Sequence, residues 1–173
     1  MVCTVDFNRA LDAFTSRHTL VGPCRACTDN EIAHVDAYLF TAAPIETECE
    51  FTTSAPIVDD PAREKKYLWV IRERIVPFAK EISTGGIIKH SNLTGGGQAY
   101  CGGEVWFADR ASIYLNGGSG RYPCEDNEQL LSEVKDFYMT LGYQVALPPF
   151  NEDSGQRPRV FKSQEMVVWE SHD

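Results

Sequence analysis

Six side chains equipped for acid–base or anion-binding chemistry fall between His90 and Tyr122: His90, Ser91, Glu104, Ser119, Arg121 and Tyr122. An imidazole and a carboxylate can pass a proton at neutral pH, and a hydroxyl beside a guanidinium can hold a phosphate or carboxylate. His90 and Glu104 are therefore the candidate catalytic pair, and Ser91, Ser119, Arg121 and Tyr122 the candidate ligand-binding groups. Ten of the 13 glycines lie from Gly85 to Gly120. Crowding of that kind marks tight turns or the close approach of a ligand to the backbone.

Each residue also has a plain structural explanation. Asn116-Gly117-Gly118 reads as a turn, Ser119 as a cap, Arg121 as a surface ion pair, Tyr122 as a core aromatic with a wet hydroxyl, and His90 as a satisfied, semi-buried histidine. If Ile87 to Ser91 is a strand, alternation turns His90 and Ser91 to opposite faces, which disfavours a Ser-His nucleophile pair. Glu104 then shares a face with Trp106, where it can meet His90. The loop from Asn116 to Tyr122 is not a Walker motif, since no Gly-Lys-Ser/Thr follows, and it does not fit the dinucleotide fingerprint.

Six cysteines are present: Cys3, Cys24, Cys27, Cys49, Cys101 and Cys124. Only Cys24-Arg25-Ala26-Cys27 has metal-like spacing, and Cys3, Cys49, His18 or His34 would have to complete a zinc site, because a second closely spaced ligand pair is missing. No cofactor is expected; zinc at Cys24 and Cys27 is kept as the alternative to a redox pair or unlinked thiols. Cys101 and Cys124 flank the glycine loops without an evident activating partner.

The formal charge of −9 argues against direct nucleic-acid binding, whose affinity comes from phosphate neutralisation. It favours a basic or metal-bearing partner, a basic protein among them. No apolar run approaches the roughly 20 residues of a membrane span, and Met1 to Asp6 lacks a signal-peptide pattern, so a soluble, cytoplasmic protein is expected.

The elements that must position these groups begin with an amphipathic helix over 5–17, which turns Phe7, Ala10, Leu11 and Phe14 inward. Asp29 caps a second helix, with Ile32, Val35 and Leu39 inward, before Pro44. Residues 44–60 read as a solvated connection with a short strand near Phe51. Asp60-Pro61 starts a third helix lined by Leu68, Ile71 and Ile75 and stopped by Pro77. Strands follow over 87–93, 103–108 and 111–116, then a helix from Asp126 to Gly142 with Leu130, Val134, Phe137 and Leu141 on one face. Further strands are read over 143–147 and 166–169, separated by a polar loop from Asn151 to Arg159. The sum is an α+β fold in a single domain over 1–173, with a mainly helical half (1–83) and a glycine-rich, sheet-forming half (84–173) whose mainly antiparallel sheet carries one helix packed across it.

The series His90-Ser91-x-Leu93, Gly103-Glu104 and Ser119-Gly120-x-Tyr122-Pro123 resembles the His-Ser, Gly-Glu, Ser-Gly-His-Tyr core of plant IQ-motif calmodulin-binding proteins and of C-terminal domains of bacterial effector or toxin proteins. It covers a fifth to a third of the chain. Arg121 stands where that pattern has histidine, and no basic IQ helix is present, so a calmodulin partner does not carry over. The resemblance implies that the six residues form one constellation. Two functions follow as expectations. One is an enzyme-like domain binding an anionic, nucleotide-like small molecule, as an effector or toxin transferase would. The other is a noncatalytic acidic immunity or inhibitor protein that binds a basic protein.

Overall fold

A computed structural model describes residues 5–57, 61–82, 86–147, 161 and 163–172. Cys3, Asp60 and the polar loop expected from Asn151 to Arg159 lie outside them. The fold is a single α+β domain. Helix α1 (Phe7–Thr15) starts where the Asp6 carboxylate accepts the backbone N–H groups of Asn8 and Arg9, and it buries Ala10, Leu11 and Phe14. Helix α3 (Glu128–Thr140) is capped by Asn127, which accepts from the Leu130 N–H at 3.0 Å. The cap is thus one residue later than the Asp126 start expected. Gly142, at φ 101°, ends it in a conformation that side chains avoid.

Seven strands form one sheet in the order β1 (Tyr38–Leu39), β3 (Pro77–Lys80), β2 (Tyr67–Ile71), β4 (Cys101–Asp109), β5 (Ser112–Asn116), β6 (Gln144–Ala146), β7 (Trp169–Glu170). All neighbours are antiparallel except β5 and β6. A parallel pair cannot be joined by a tight turn, and α3 supplies the long connection between these two. The hairpin of β4 and β5 turns at Asp109-Arg110, as the sequence suggests, with the Ala111 N–H donated to the Asp109 carboxylate at 2.8 Å.

The centre of the sheet is covered on both sides. Tyr67, Trp69 and Ile71 of β2 join Val105, Phe107, Ile113 and Leu115 in a large core beneath α1 and α3. On the opposite face Leu68 and Val70 pack with Leu93, Ala99 and Tyr122, while Trp106 and Tyr114 pack with Ala55 and Phe161.

This double burial corrects the third helix. Residues 61–64 form only a 3₁₀ turn, and Leu68 and Ile71 belong to a strand whose five residues are all buried. Ile75 lies in the β2–β3 connection, where its carbonyl accepts the Arg72 N–H at 3.0 Å. Pro77 begins a strand instead of stopping a helix. Lys66, next to β2, is buried. The second helix, α2, is likewise short, Asp29–Ile32, because the Asn92 side-chain amide donates to the carbonyls of Asn30 (2.8 Å) and Ala33 (2.9 Å) and the backbone turns extended at Ala33. Leu39 is in β1 and exposed, not inward. Residues 1–83 therefore supply three strands as well as α1 and α2. The strand expected over 87–93 is a single bridge, Ile82 to Ile88, followed by a 3₁₀ turn at His90–Leu93, closed by the Lys89 N–H donating to the Asn92 side chain at 2.7 Å.

Candidate functional site

The six residues singled out above are all buried; Glu104 lies in the first half of β4, His90 reaches that strand at the Gly103 carbonyl, and the turn holding Ser119, Arg121 and Tyr122 is tied to it at Gly102. Glycine makes this gathering physically practicable. A Cβ on Gly102 would lie 3.2 Å from the His90 ring and 3.0 Å from the Trp69 carbonyl; one on Gly103 would lie 2.0 Å from the Asn116 carbonyl and 2.7 Å from the Trp69 ring. The close approach that glycine crowding signals is that of the chain to itself.

His90 Nε2 sits 2.7 Å from the Gly103 carbonyl oxygen. A carbonyl only accepts, so the ring carries its proton on Nε2. Burial drives its pKa down to about 4, against the opposing pull of that carbonyl and of Glu81; Lys66 and Arg121 add to the lowering. His90 is thus a neutral donor at pH 7. The imidazole meets the carbonyl before Glu104 rather than the Glu104 carboxylate itself.

Glu104 is directly opposite Leu68 in β2 and Asn116 in β5, on the face away from α1 and α3. Lys66 reaches it at 2.6 Å and also reaches Glu81 at 2.7 Å; Lys89 holds Glu81 at 3.0 Å. The Asn116 amide donates to Glu104 at 3.2 Å, and its oxygen accepts the N–H groups of Glu104 (3.1 Å) and Gly118 (2.8 Å). Burial disfavours the Glu81 carboxylate, but Lys66 and Lys89 outweigh it and lower its pKa. To act as a base, Glu104 would first have to leave an ion pair that is itself buried.

The Ser119 hydroxyl accepts the N–H groups of Arg121 (3.1 Å) and Tyr122 (3.0 Å), closing the turn that enters the site. The Arg121 guanidinium pairs with Glu31 of α2; this bond lowers the Glu31 pKa, and it raises that of Arg121 against the effect of burial. The Tyr122 hydroxyl donates to the Gly97 carbonyl at 2.6 Å, lies 2.8 Å from the Thr94 hydroxyl, and has its pKa raised by burial. The Tyr122 carbonyl accepts the Gly102 N–H at 2.7 Å, which ties this turn to β4. Two polar atoms within the group are buried without a hydrogen-bond partner, Ser91 Oγ and Arg121 Nε.

Sequence reading missed Lys66, Glu81, Glu31 and Asn116 as members of this cluster. A signal was there for Lys66: a period of two through Lys66, Leu68 and Val70 sets it on the same face as Glu104.

Among the described residues no group of three or more His, Cys, Asp or Glu could hold a metal. Cys24 donates its thiol to the Gly120 carbonyl at 3.2 Å, and Cys27 to that of Arg25 at 3.7 Å. Burial, with Cys124 alongside, holds the Cys101 thiol well above its usual pKa, away from the nucleophilic thiolate.

Among the described residues two hollows lie elsewhere. One, of about 320 Å³, is bordered by Tyr38, Leu39, Ile45, Glu46 and Phe78. The other, of about 430 Å³, is bordered by Leu20, Arg72, Glu73, Arg74, Ile75 and Gln98. None of the six constellation residues borders either. Among the described residues no helix is long and apolar enough to cross a membrane. No family model matches the chain, and neither does a curated protein or a solved structure.

Proposed function

We propose that this is a noncatalytic acidic binding protein, of the immunity or inhibitor kind, whose partner is a basic protein. One observation carries the reading: the groups best suited to chemistry are turned inward and bonded to the fold itself, His90 to Gly103, Glu104 to Lys66 and Asn116, and Arg121 to Glu31. The unspent charge is outside. Asp12, Glu46, Glu48, Asp109 and Asp126 are exposed, and a field of net −9 speeds encounter with a cationic surface.

The enzyme-like reading, an effector or toxin transferase acting on an anionic nucleotide-like ligand, has its own support in the buried, unpartnered Ser91 Oγ and Arg121 Nε. A phosphate entering there would have to displace Glu31. Thermal shift and anisotropy separate the two. On the binding-protein reading, poly-L-lysine and a lysine-rich histone bind with an affinity that falls steeply with salt, while ATP and ADP-ribose leave Tm unchanged. A rise in Tm with either nucleotide that disappears in Arg121→Ala, without salt-sensitive binding of the polycations, overturns it in favour of the enzyme-like one.

A further inference from the structure

We infer that the groove beside β1 is the docking surface for that basic partner, taking an extended segment of it that alternates apolar with Lys or Arg side chains. The inference rests on the binding-protein reading. Strand β1 is the outermost of the sheet, and among the described residues it pairs only with β3. The Phe40 N–H is donated inward to the Val76 carbonyl at 3.0 Å. With a period of two, the N–H and C=O of Leu39 therefore face outward, where an added strand would bind. The side chains match that availability: Tyr38 and Leu39 are 44% and 50% exposed, while Phe40 next to them is buried.

The hollow at this edge has Phe78 and Ile45 as its buried apolar floor and Glu46 at its rim. At about 320 Å³ it is at the small end of ligand pockets, suited to a side chain or two and not to a whole metabolite. Beyond it the chain carries carboxylates at every second residue, Glu46, Glu48 and Glu50, all exposed. Lys80 on β3 neutralises Glu50, whereas no ion pair engages Glu46 or Glu48 among the described residues. A pocket with an apolar floor at an open strand edge, followed by two carboxylates outside any ion pair among the described residues, selects an extended cationic segment. A second copy of this chain would set Glu46 and Glu48 against their own like charges, and an anionic surface would meet the same repulsion. The second hollow lacks such direction, since Arg72 and Arg74 there flank Glu73. Because β1 spans two residues, main-chain pairing is brief and the hollow and carboxylates must supply most of the affinity.

The test uses the full chain and a fluorescein-labelled octapeptide of alternating lysine and valine, read by anisotropy at low and at physiological salt. The expected result is that Glu46→Lys with Glu48→Lys weakens binding by about tenfold or more, that Leu39→Ser weakens it by several-fold, and that Asp12→Lys with Asp126→Lys, the same charge change elsewhere, weakens it by less than about threefold. In the unmodified protein the peptide should slow hydrogen exchange at the Leu39 amide, a readout independent of whether any variant folds. Equal weakening by both charge reversals, with exchange at Leu39 unaltered, removes the docking surface and leaves the acidic binding protein standing. Absence of binding by the octapeptide and by poly-L-lysine alike removes both.

Discussion

Lys66 is the residue on which the polar centre of the sheet turns, because it answers two carboxylates, Glu81 and Glu104, from a position with almost no access to water. The attraction in such a pair is offset by the cost of desolvating both charges, so its presence says little about net stability, but the loss of one partner strands the other. Lys66→Met is accordingly expected to destabilise the fold by about 3–5 kcal/mol, and the double change Lys66→Met with Glu104→Leu to recover most of that loss. Urea denaturation of the single and double variants provides the comparison. A single variant within about 1 kcal/mol of the parent would mean that water reaches the pair. The same cation sets the direction of the acid response at Glu81. Its folded pKa is depressed, so its contribution is complete above the ordinary value of 4.5 and is lost as pH falls through the lower folded value.

At the scale of elements, the decisive feature is the crossing of β4 by its neighbours at Gly102 and Gly103. The two glycines have ordinary backbone angles and are needed for space, whereas Gly95 and Gly96 have φ of 63° and 80° and are needed for conformation. Gly103→Ala drives a Cβ to 2.0 Å from the Asn116 carbonyl, and neither that backbone nor the buried Trp69 ring can move away cheaply. The expected cost is about 3 kcal/mol. Gly95→Ala meets open space and only the left-handed backbone penalty, about 1 kcal/mol. Thermal denaturation should rank them in that order, and the reverse order would show that β4 and β5 adjust more freely than their register implies.

The same elements show what could be read in advance. Helices α1 and α3 were legible because each has one wet face, which leaves a periodic apolar pattern, and the β4–β5 hairpin, buried on both faces, was legible from its β-branched and aromatic runs on either side of Asp109-Arg110. Strand β2 was not, because Tyr67-Leu68-Trp69-Val70-Ile71 is buried on both faces and carries no polar alternation to reveal a period of two. The turn at His90–Leu93 was hidden for another reason: the Asn92 side chain, bonded to Lys89, Asn30 and Ala33, replaces the ladder a strand would have made. The six constellation residues came into view together since the short β4–β5 connection keeps neighbours in sequence near in space. Glu31, Lys66 and Glu81 arrive from distant segments; nothing local announces Glu31 or Glu81, and the alternation of Lys66 with Leu68 and Val70 becomes a signal only once β2 is read as a strand.

Across the whole molecule, two opposing trends meet as pH falls. Protonation of carboxylates relieves the self-repulsion of a chain with net charge −9, but that relief belongs mainly to the range near and below their ordinary pKa of about 4–4.5. His90 acts earlier. Its folded pKa of about 4 lies below the 6.5 of the unfolded chain, so the unfolded state binds the proton first; the contribution of His90 is whole above pH 6.5 and drains away toward pH 4. A gap of that size corresponds to about 3 kcal/mol, enough to dominate the upper part of the window, where few carboxylates have yet titrated. Glu81, Lys66 and Arg121 are the charges that act on the ring; the Glu81 pKa is lowered and that of Arg121 raised, so neither of these two titrates in that upper range. Stability measured by urea at successive pH values should therefore fall steadily from pH 6.5 to 4.5 in the parent chain and much less in His90→Gln, whose amide can still donate to the Gly103 carbonyl but gains no proton. Because His18, His34 and His172 are present in both chains, the difference between the two slopes belongs to His90. Parallel slopes would mean that the imidazole takes up its proton inside the fold as readily as outside it, and that the pocket made by Gly102 and Gly103 is open to water.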